Sequence, residues 1–243
     1  MITLTINGKQ IQAEEGTTLL QSANDNNIYI PSLCNHESIL PYGACRLCLV
    51  EATNASGRKR LVASCLYPVE DGLSVETDTE RIAGDRKMLM QLLLARCPDV
   101  KPVQDLASKL GVEDTPFKKD DKHCILCGLC VRACHDVVGV SAISLVNRGV
   151  NRQVASPFYL QSEACIGCGS CAYVCPIDAI TMEDSGGIRT LIMPNPRVEK
   201  VQFKLRKCKA CGSYWIPEKQ IEHIARISGT SPEDYNLCMD CRD

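Results

Sequence analysis

Hydrophobic and polar positions change period several times along the chain. Ile2, Leu4 and Ile6 alternate with Thr3 and Thr5, a period of two that predicts a half-buried strand. Asn7-Gly8 predicts a tight hairpin turn, with a return strand beginning at Ile11 and Ala13. Thr17 to Ala23 predicts a short helix. Val50 leads into a hairpin loop at Asn54-Ala-Ser-Gly57, and Leu61-Val62-Ala63 returns. Further on the period lengthens. Thr77 as N-cap with Glu80 as its capping-box partner predicts a helix to about Arg96, with Ile82, Leu89, Leu92 and Leu93 on one face and Arg81, Asp85 and Arg86 elsewhere. Val103, Leu106, Ala107 and Leu110 predict a second helix over Pro102 to Leu110, stopped by Gly111.

The second half is more broken. Candidate strands are Ala142 to Val146, Gln153 to Ala155, and Ile188 to Met193, the last ended by Pro194 and Pro196. Val198, Val201 and Phe203 suggest one more strand, and Pro217 to Ile227 reads as a helix. The fold class expected is α+β, built from several modules. Residues 1–78 begin with the strand, turn, strand and helix of a β-grasp domain. Residues 79–117 form a helical connector, 118–187 a cysteine-rich module, and 188–243 a terminal knuckle.

Composition sharpens this. The 243 residues hold 17 cysteines but only 3 phenylalanines and 1 tryptophan. Few large apolar anchors and many thiols point to small modules stapled by metal. Disulfides fit poorly, because all cysteines but Cys97 fall into metal-ligand spacings and the N-terminus does not read as a secretory leader. The run Leu92-Leu93-Leu94-Ala95 is too short to span a bilayer. A net charge of −2 gives the chain no nucleic-acid bias. The expectation is a cytoplasmic protein with no membrane span and no nucleic-acid partner.

The strongest chemical signal is a repeated spacing. Cys124, Cys127, Cys130 and Cys134 follow C-x2-C-x2-C-x3-C, and so do Cys165, Cys168, Cys171 and Cys175. In that bacterial pattern three thiolates wrap one [4Fe–4S] cluster and the fourth caps the other. One cluster is therefore assigned to Cys124, Cys127, Cys130 and Cys175, and the second to Cys134, Cys165, Cys168 and Cys171. Ile125, Leu126, Ile166, Ile177 and Ile180 are expected to wall the clusters from water. His135 replaces the proline expected after Cys134 and is either a hydrogen-bond donor to cluster sulfur or a polar loop residue.

Earlier in the chain Cys34, Cys45, Cys48 and Cys65 offer four thiolates for a [2Fe–2S] cluster, with Gly43 and Ala44 opening a loop through which backbone N–H groups can reach sulfide. At the other end Cys208, Cys211, Cys238 and Cys241 form two C-x2-C knuckles. A closed four-thiolate site favours structural Zn2+, with rubredoxin-type iron or a [2Fe–2S] cluster as alternatives. The terminal module is thus expected to be zinc-ribbon or rubredoxin-like. Lys200, Lys204, Arg206, Lys207 and Lys209 form a basic run, read as a solvated face or a docking surface for an acidic partner. Tyr214-Trp215 is either an interface anchor or part of a small core.

The gap between Cys34 and Cys45 and the order of the modules resemble the N-terminal iron–sulfur region of the complex I large subunit, the small diaphorase subunit of NAD-linked hydrogenases, and [FeFe]-hydrogenase N-terminal domains. The resemblance covers about residues 1–185. Those relatives carry one His and three Cys after a leucine-rich helix for an extra cluster, whereas here only Cys97 remains, so that cluster is expected to be absent. The resemblance implies a non-catalytic electron-transfer subunit of a flavin-dependent, NAD(P)H-linked oxidoreductase, of hydrogenase, diaphorase or electron-bifurcating type. Its implied partners are a flavin- and NAD(P)H-binding diaphorase-type subunit and a second redox enzyme subunit or soluble ferredoxin. Service to a formate or other dehydrogenase without NAD is a second reading, and a redox-sensing or assembly protein a third. No Gly-rich phosphate loop and no base–nucleophile constellation stands in the sequence.

Overall fold

The computed structural model describes residues 1–242 apart from Pro196, Val198 and Glu199. The expected strand position at Val198 and the breaker at Pro196 lie outside the described residues. The chain divides into two compact units, Met1–Cys127 and Gly128–Asp243.

In the first unit β1 (Ile2–Ile6) and β2 (Lys9–Ala13) pair antiparallel around Asn7-Gly8, whose φ of 51° and 76° suit a twisted two-residue turn. Helix α1 (Leu19–Asp25) starts at Thr18, whose side chain accepts from the Gln21 N–H at 3.2 Å. Strands β3 (Leu49–Thr53) and β4 (Lys59–Ala63) form the expected hairpin, and β5 (Ser74–Glu76) inserts between β1 and β3. The sheet order is β2-β1-β5-β3-β4, with β1 and β5 parallel. Leu4, Ile6, Leu19, Leu20, Val50, Leu73 and Val75 fill the space between sheet and α1, together with Cys48 and Cys65. Cys48 and Cys65 are therefore part of its hydrophobic core.

Helix α2 (Glu80–Arg96) corrects the expected cap and face. Thr79 is the N-cap and accepts from the Ile82 N–H at 3.3 Å. Thr77 instead pairs with Asn7, whose side-chain amide donates to Thr77 Oγ1 at 2.8 Å. The buried row is Ile82, Arg86, Met90 and Leu94, while Leu92 is exposed. Counting only apolar residues placed the face one step away, because a buried arginine occupies the fourth-residue ridge. Helix α3 (Lys101–Lys109) follows, with Pro102 in its first turn and Gly111 at φ 67° after it.

In the second unit α4 (Leu129–Arg132) runs into a π-helical turn over Ala133–Val137. Strands β6 (Ser144–Val146) and β7 (Gln153–Ala155) pair antiparallel, and α5 (Ser170–Tyr173) follows. Strands β8 (Thr181–Ser185), β9 (Ile188–Ile192), β10 (Lys200–Lys207) and β11 (Tyr214–Pro217) form one sheet in the order β11-β10-β9-β8. Helix α6 (Glu218–Ser228) closes on Gly229 at φ 70°. The expected α+β class holds. Among the described residues no helix is long and apolar enough to cross a membrane.

Candidate iron–sulfur and metal centres

In the first unit Cys34, Cys48 and Cys65 are buried and Cys45 is half-buried. Cys45 sits on a loop before β3, and its backbone N–H donates to Cys34 Sγ at 3.3 Å. The Leu33 N–H donates to Cys45 Sγ at 3.4 Å. Arg46 adopts φ 61°, a left-handed turn that sends successive N–H groups toward the thiols. The thiols act on one another strongly. A hydrogen bond from Cys34 holds Cys45 near 6, and one from Cys65 holds Cys48 near 7, while Cys34 and Cys65 are pushed upward. Two of four thiols thus ionise readily, which suits a metal-binding set. Ser64 Oγ is buried beside Cys48 and has no nitrogen or oxygen partner among the described residues. That hydroxyl hydrogen-bonds toward the Cys48 thiol and fits a set that presents acceptor sulfur. His36 takes a loop role, its Nδ1 accepting from the Ser38 N–H at 3.2 Å.

The expected cubane ligands fall on both sides of the unit boundary. Cys124 and Cys127 close the first unit, where the Leu126 N–H donates to Cys124 Sγ at 3.4 Å. In the second unit Cys130 is buried on α4, and the Cys175 thiol accepts from the Ala179 N–H at 3.2 Å. The grouping of Cys130 and Cys175 with Cys124 and Cys127 rests on the repeat spacing.

Cys134, Cys165, Cys168 and Cys171 all line one cavity of the second unit. Its remaining wall is mostly apolar, including Val140, Ile143, Val154, Ile166 and Leu191. Cys134 lies on the π-helical turn, and its sulfur accepts from the Ala142 N–H at 3.2 Å. Burial pushes the Cys171 thiol up to about 12. Four thiols facing one apolar cavity fit a sulfur-ligated cluster. Gly167 and Gly169 adopt φ 70° and 82° in this loop. Gly128 holds the same conformation in the first repeat, and Leu126, at the position matching Gly167, is forced to φ 56°.

Of the five residues expected as walls, Ile125, Ile166, Ile177 and Ile180 are buried and Leu126 is half-buried. His135 is exposed and its Nδ1 lies 2.7 Å from Asp136. It is thus engaged at the surface, on the π-helical turn rather than in a loop.

Cys208, Cys211, Cys238 and Cys241 place their sulfurs within 4.8 Å of one another. Backbone N–H groups of Cys211 and Cys238 hold the Cys208 thiol near 6. Gly212, at φ 79°, makes the knuckle turn. Lys204 pairs with Glu218 at 3.3 Å, and Arg206 donates to the Pro232 carbonyl at 3.1 Å, so part of the basic run serves this module internally. Trp215 is half-buried, and its buried indole N–H has no partner among the described residues.

Sequence reasoning missed the arginines that hold these loops. Arg86 donates to the Leu47 and Leu49 carbonyls at 3.0 and 2.8 Å. Arg96 donates to the Cys124 carbonyl at 2.7 Å, and Arg189 to the Gly167 carbonyl at 3.2 Å. No local pattern marks them, since their partners lie 22 to 39 residues away along the chain. Cys97 is fully buried, and burial pushes its thiol up to about 12.

Comparison with known proteins agrees with this anatomy. Residues 1–80 match a 2Fe-2S iron-sulfur cluster binding domain, and residues 118–182 and 164–213 match 4Fe-4S dicluster domains. The NADPH-Fe(3+) oxidoreductase subunit alpha of Geobacter sulfurreducens is 32% identical across 72% of this chain and 23% of its own length. An NADP-reducing hydrogenase subunit of Solidesulfovibrio fructosivorans is 32% identical across 74% of this chain and 36% of its own. An NADH-quinone oxidoreductase subunit of Rickettsia bellii is 29% identical across all of this chain and 35% of its own. The chain thus spans about a quarter to a third of the length of these relatives. Among solved structures, a chain of an NAD+-reducing [NiFe]-hydrogenase in the H2-reduced state aligns with a TM-score of 0.63 and 29% identity, covering 73% of this chain and 85% of that one. The chain is an iron–sulfur protein with a 2Fe-2S domain ahead of 4Fe-4S dicluster domains, homologous to iron–sulfur subunits of NADH-quinone oxidoreductases and of NAD(P)-linked hydrogenases.

Proposed function

We propose that this chain is the electron-transfer subunit of a multisubunit, flavin-dependent, NAD(P)H-linked oxidoreductase. The observation that carries the reading is the apolar cavity bounded by Cys134, Cys165, Cys168 and Cys171. The spacing repeat and the core thiols of the first unit support it.

In this reading Cys34, Cys45, Cys48 and Cys65 hold a [2Fe–2S] cluster. Cys124, Cys127, Cys130 and Cys175 hold one [4Fe–4S] cluster, and Cys134, Cys165, Cys168 and Cys171 hold the other. Bound clusters supply reversible one-electron storage. The protein's own residues set the conditions. Buried isoleucines exclude water, loop N–H groups donate to thiolate sulfur, and arginines fix the loop carbonyls. Cys208, Cys211, Cys238 and Cys241 hold structural Zn2+, which ties the terminal knuckles together without a redox role.

The partners implied are a flavin- and NAD(P)H-binding subunit on one side and a second redox subunit or a ferredoxin on the other, in the cytoplasm. Isolating the native complex tests this. Co-purification with a flavoprotein, and reduction of the clusters by NADH or NADPH only when that flavoprotein is present, supports the reading. Clusters that no flavoprotein reduces would remove it.

A further inference from the structure

The row of α2 that faces the core is apolar except at Arg86, which is 6% exposed. Its guanidinium spans the two carbonyls on either side of Cys48, those of Leu47 and Leu49. The guanidinium presents its donors in a rigid planar fork, which holds two acceptors with less loss of side-chain freedom than an ammonium. Both acceptors are neutral, and among the described residues Arg86 forms no ion pair. Arg189 is the contrast. It also donates to a cysteine-loop carbonyl, but Asp184 meets it with two contacts of 2.8 Å and neutralises it.

A buried guanidinium stays protonated, so its charge must be compensated or it is costly. Burial pulls its affinity for the proton down, and the charges of exposed Asp78 and of Cys48 push it back. Four thiolates and a bound cluster carry net negative charge in both oxidation states, one unit more when reduced. A fixed neighbouring cation therefore favours the reduced state.

We propose that Arg86 is a positioning residue of the [2Fe–2S] site, clamping the backbone on both sides of Cys48 and raising the cluster's potential with its charge. This rests on the ligand reading of Cys34, Cys45, Cys48 and Cys65 given above.

Redox titration of the full-length, cluster-loaded protein, followed by electron paramagnetic resonance of the [2Fe–2S] signal, tests it. Arg86→Met is expected to shift the equilibrium at least tenfold toward the oxidised form, which is 59 mV for one electron. Arg86→Lys, which keeps the charge, is expected to stay within threefold of wild type. A Met variant that retains the cluster and titrates within threefold of wild type overturns the proposal, as does a Lys variant shifted as far as the Met variant. If the Met variant holds no cluster, the Lys variant decides alone: a loaded cluster within threefold of wild type supports the assignment, and a tenfold shift or an empty site overturns it. Absence of any [2Fe–2S] signal in the wild type would instead remove the ligand reading itself, and the proposal with it.

Discussion

Arg96, the last residue of α2, donates from Nε to the carbonyl oxygen of Cys124 at 2.7 Å. The contact ties the connector helix to the first cysteine of the first run. A hydrogen bond to a charged donor contributes about 1.5–3 kcal/mol. Arg96→Ala should loosen that cysteine loop and lower occupancy of one [4Fe–4S] centre, with the [2Fe–2S] signal unchanged. Low-temperature electron paramagnetic resonance of the two centres side by side measures it. Equal loss of both signals would point to general unfolding instead.

Ser64 Oγ is a buried hydroxyl beside Cys48, with no nitrogen or oxygen partner among the described residues. Hydrogen bonds to cluster sulfur raise reduction potential. Ser64→Ala should therefore lower the potential of the [2Fe–2S] centre while leaving its iron content at the wild-type level. An unchanged or higher potential contradicts the placement of that hydroxyl.

How far the sequence foretold these sites varies with the kind of information. Cysteine spacing is local and discrete, so the four groups could be written down directly. The Asn7-Gly8 turn, the β3–β4 hairpin and the knuckle glycine were legible for the same reason. The α2 face was not. Arg86 sits on its buried row because two carbonyls 37 and 39 residues earlier accept its protons, and no periodicity records such a contact. Thr77 looked like a cap but is held by Asn7, 70 residues away. His135 looked like a possible ligand-shell residue, and its neighbour Asp136 keeps it at the surface.

Gly167 and Leu126 occupy matching positions in the two runs, both at positive φ. A Cβ at Gly167 would lie 2.6 Å from the Phe203 ring. Gly167→Ala should cost about 1–2 kcal/mol for the left-handed backbone and about 1–3 kcal/mol for overpacking, and should deplete the cluster of the second run. Leu126→Gly should relieve backbone strain of about 1–2 kcal/mol, offset by the loss of its half-buried side chain. Iron content after mild heating compares the two, and a Gly167 variant as stable as wild type contradicts the account.

Cys97 lies outside every ligand group and is fully buried, with its thiol pushed up to about 12. At pH 8 alkylation of the folded protein should be at least about 100-fold slower at Cys97 than at a free thiol, rising as pH approaches 12. Cys97→Ala should keep the wild-type iron content. Mass spectrometry of the alkylated protein reads the first result and metal analysis the second. Loss of iron in the variant would make Cys97 a ligand.

On the ligand sets proposed, this one chain holds three iron–sulfur clusters and a separate structural metal. Elemental analysis with acid-labile sulfide on the anaerobically purified full chain tests it most directly. About ten iron and about ten sulfide per chain with about one zinc are expected from the four ligand sets. Cys168→Ala should remove about four iron and leave zinc unchanged. Four or fewer iron per chain, or a Cys168 variant with full iron, would contradict it.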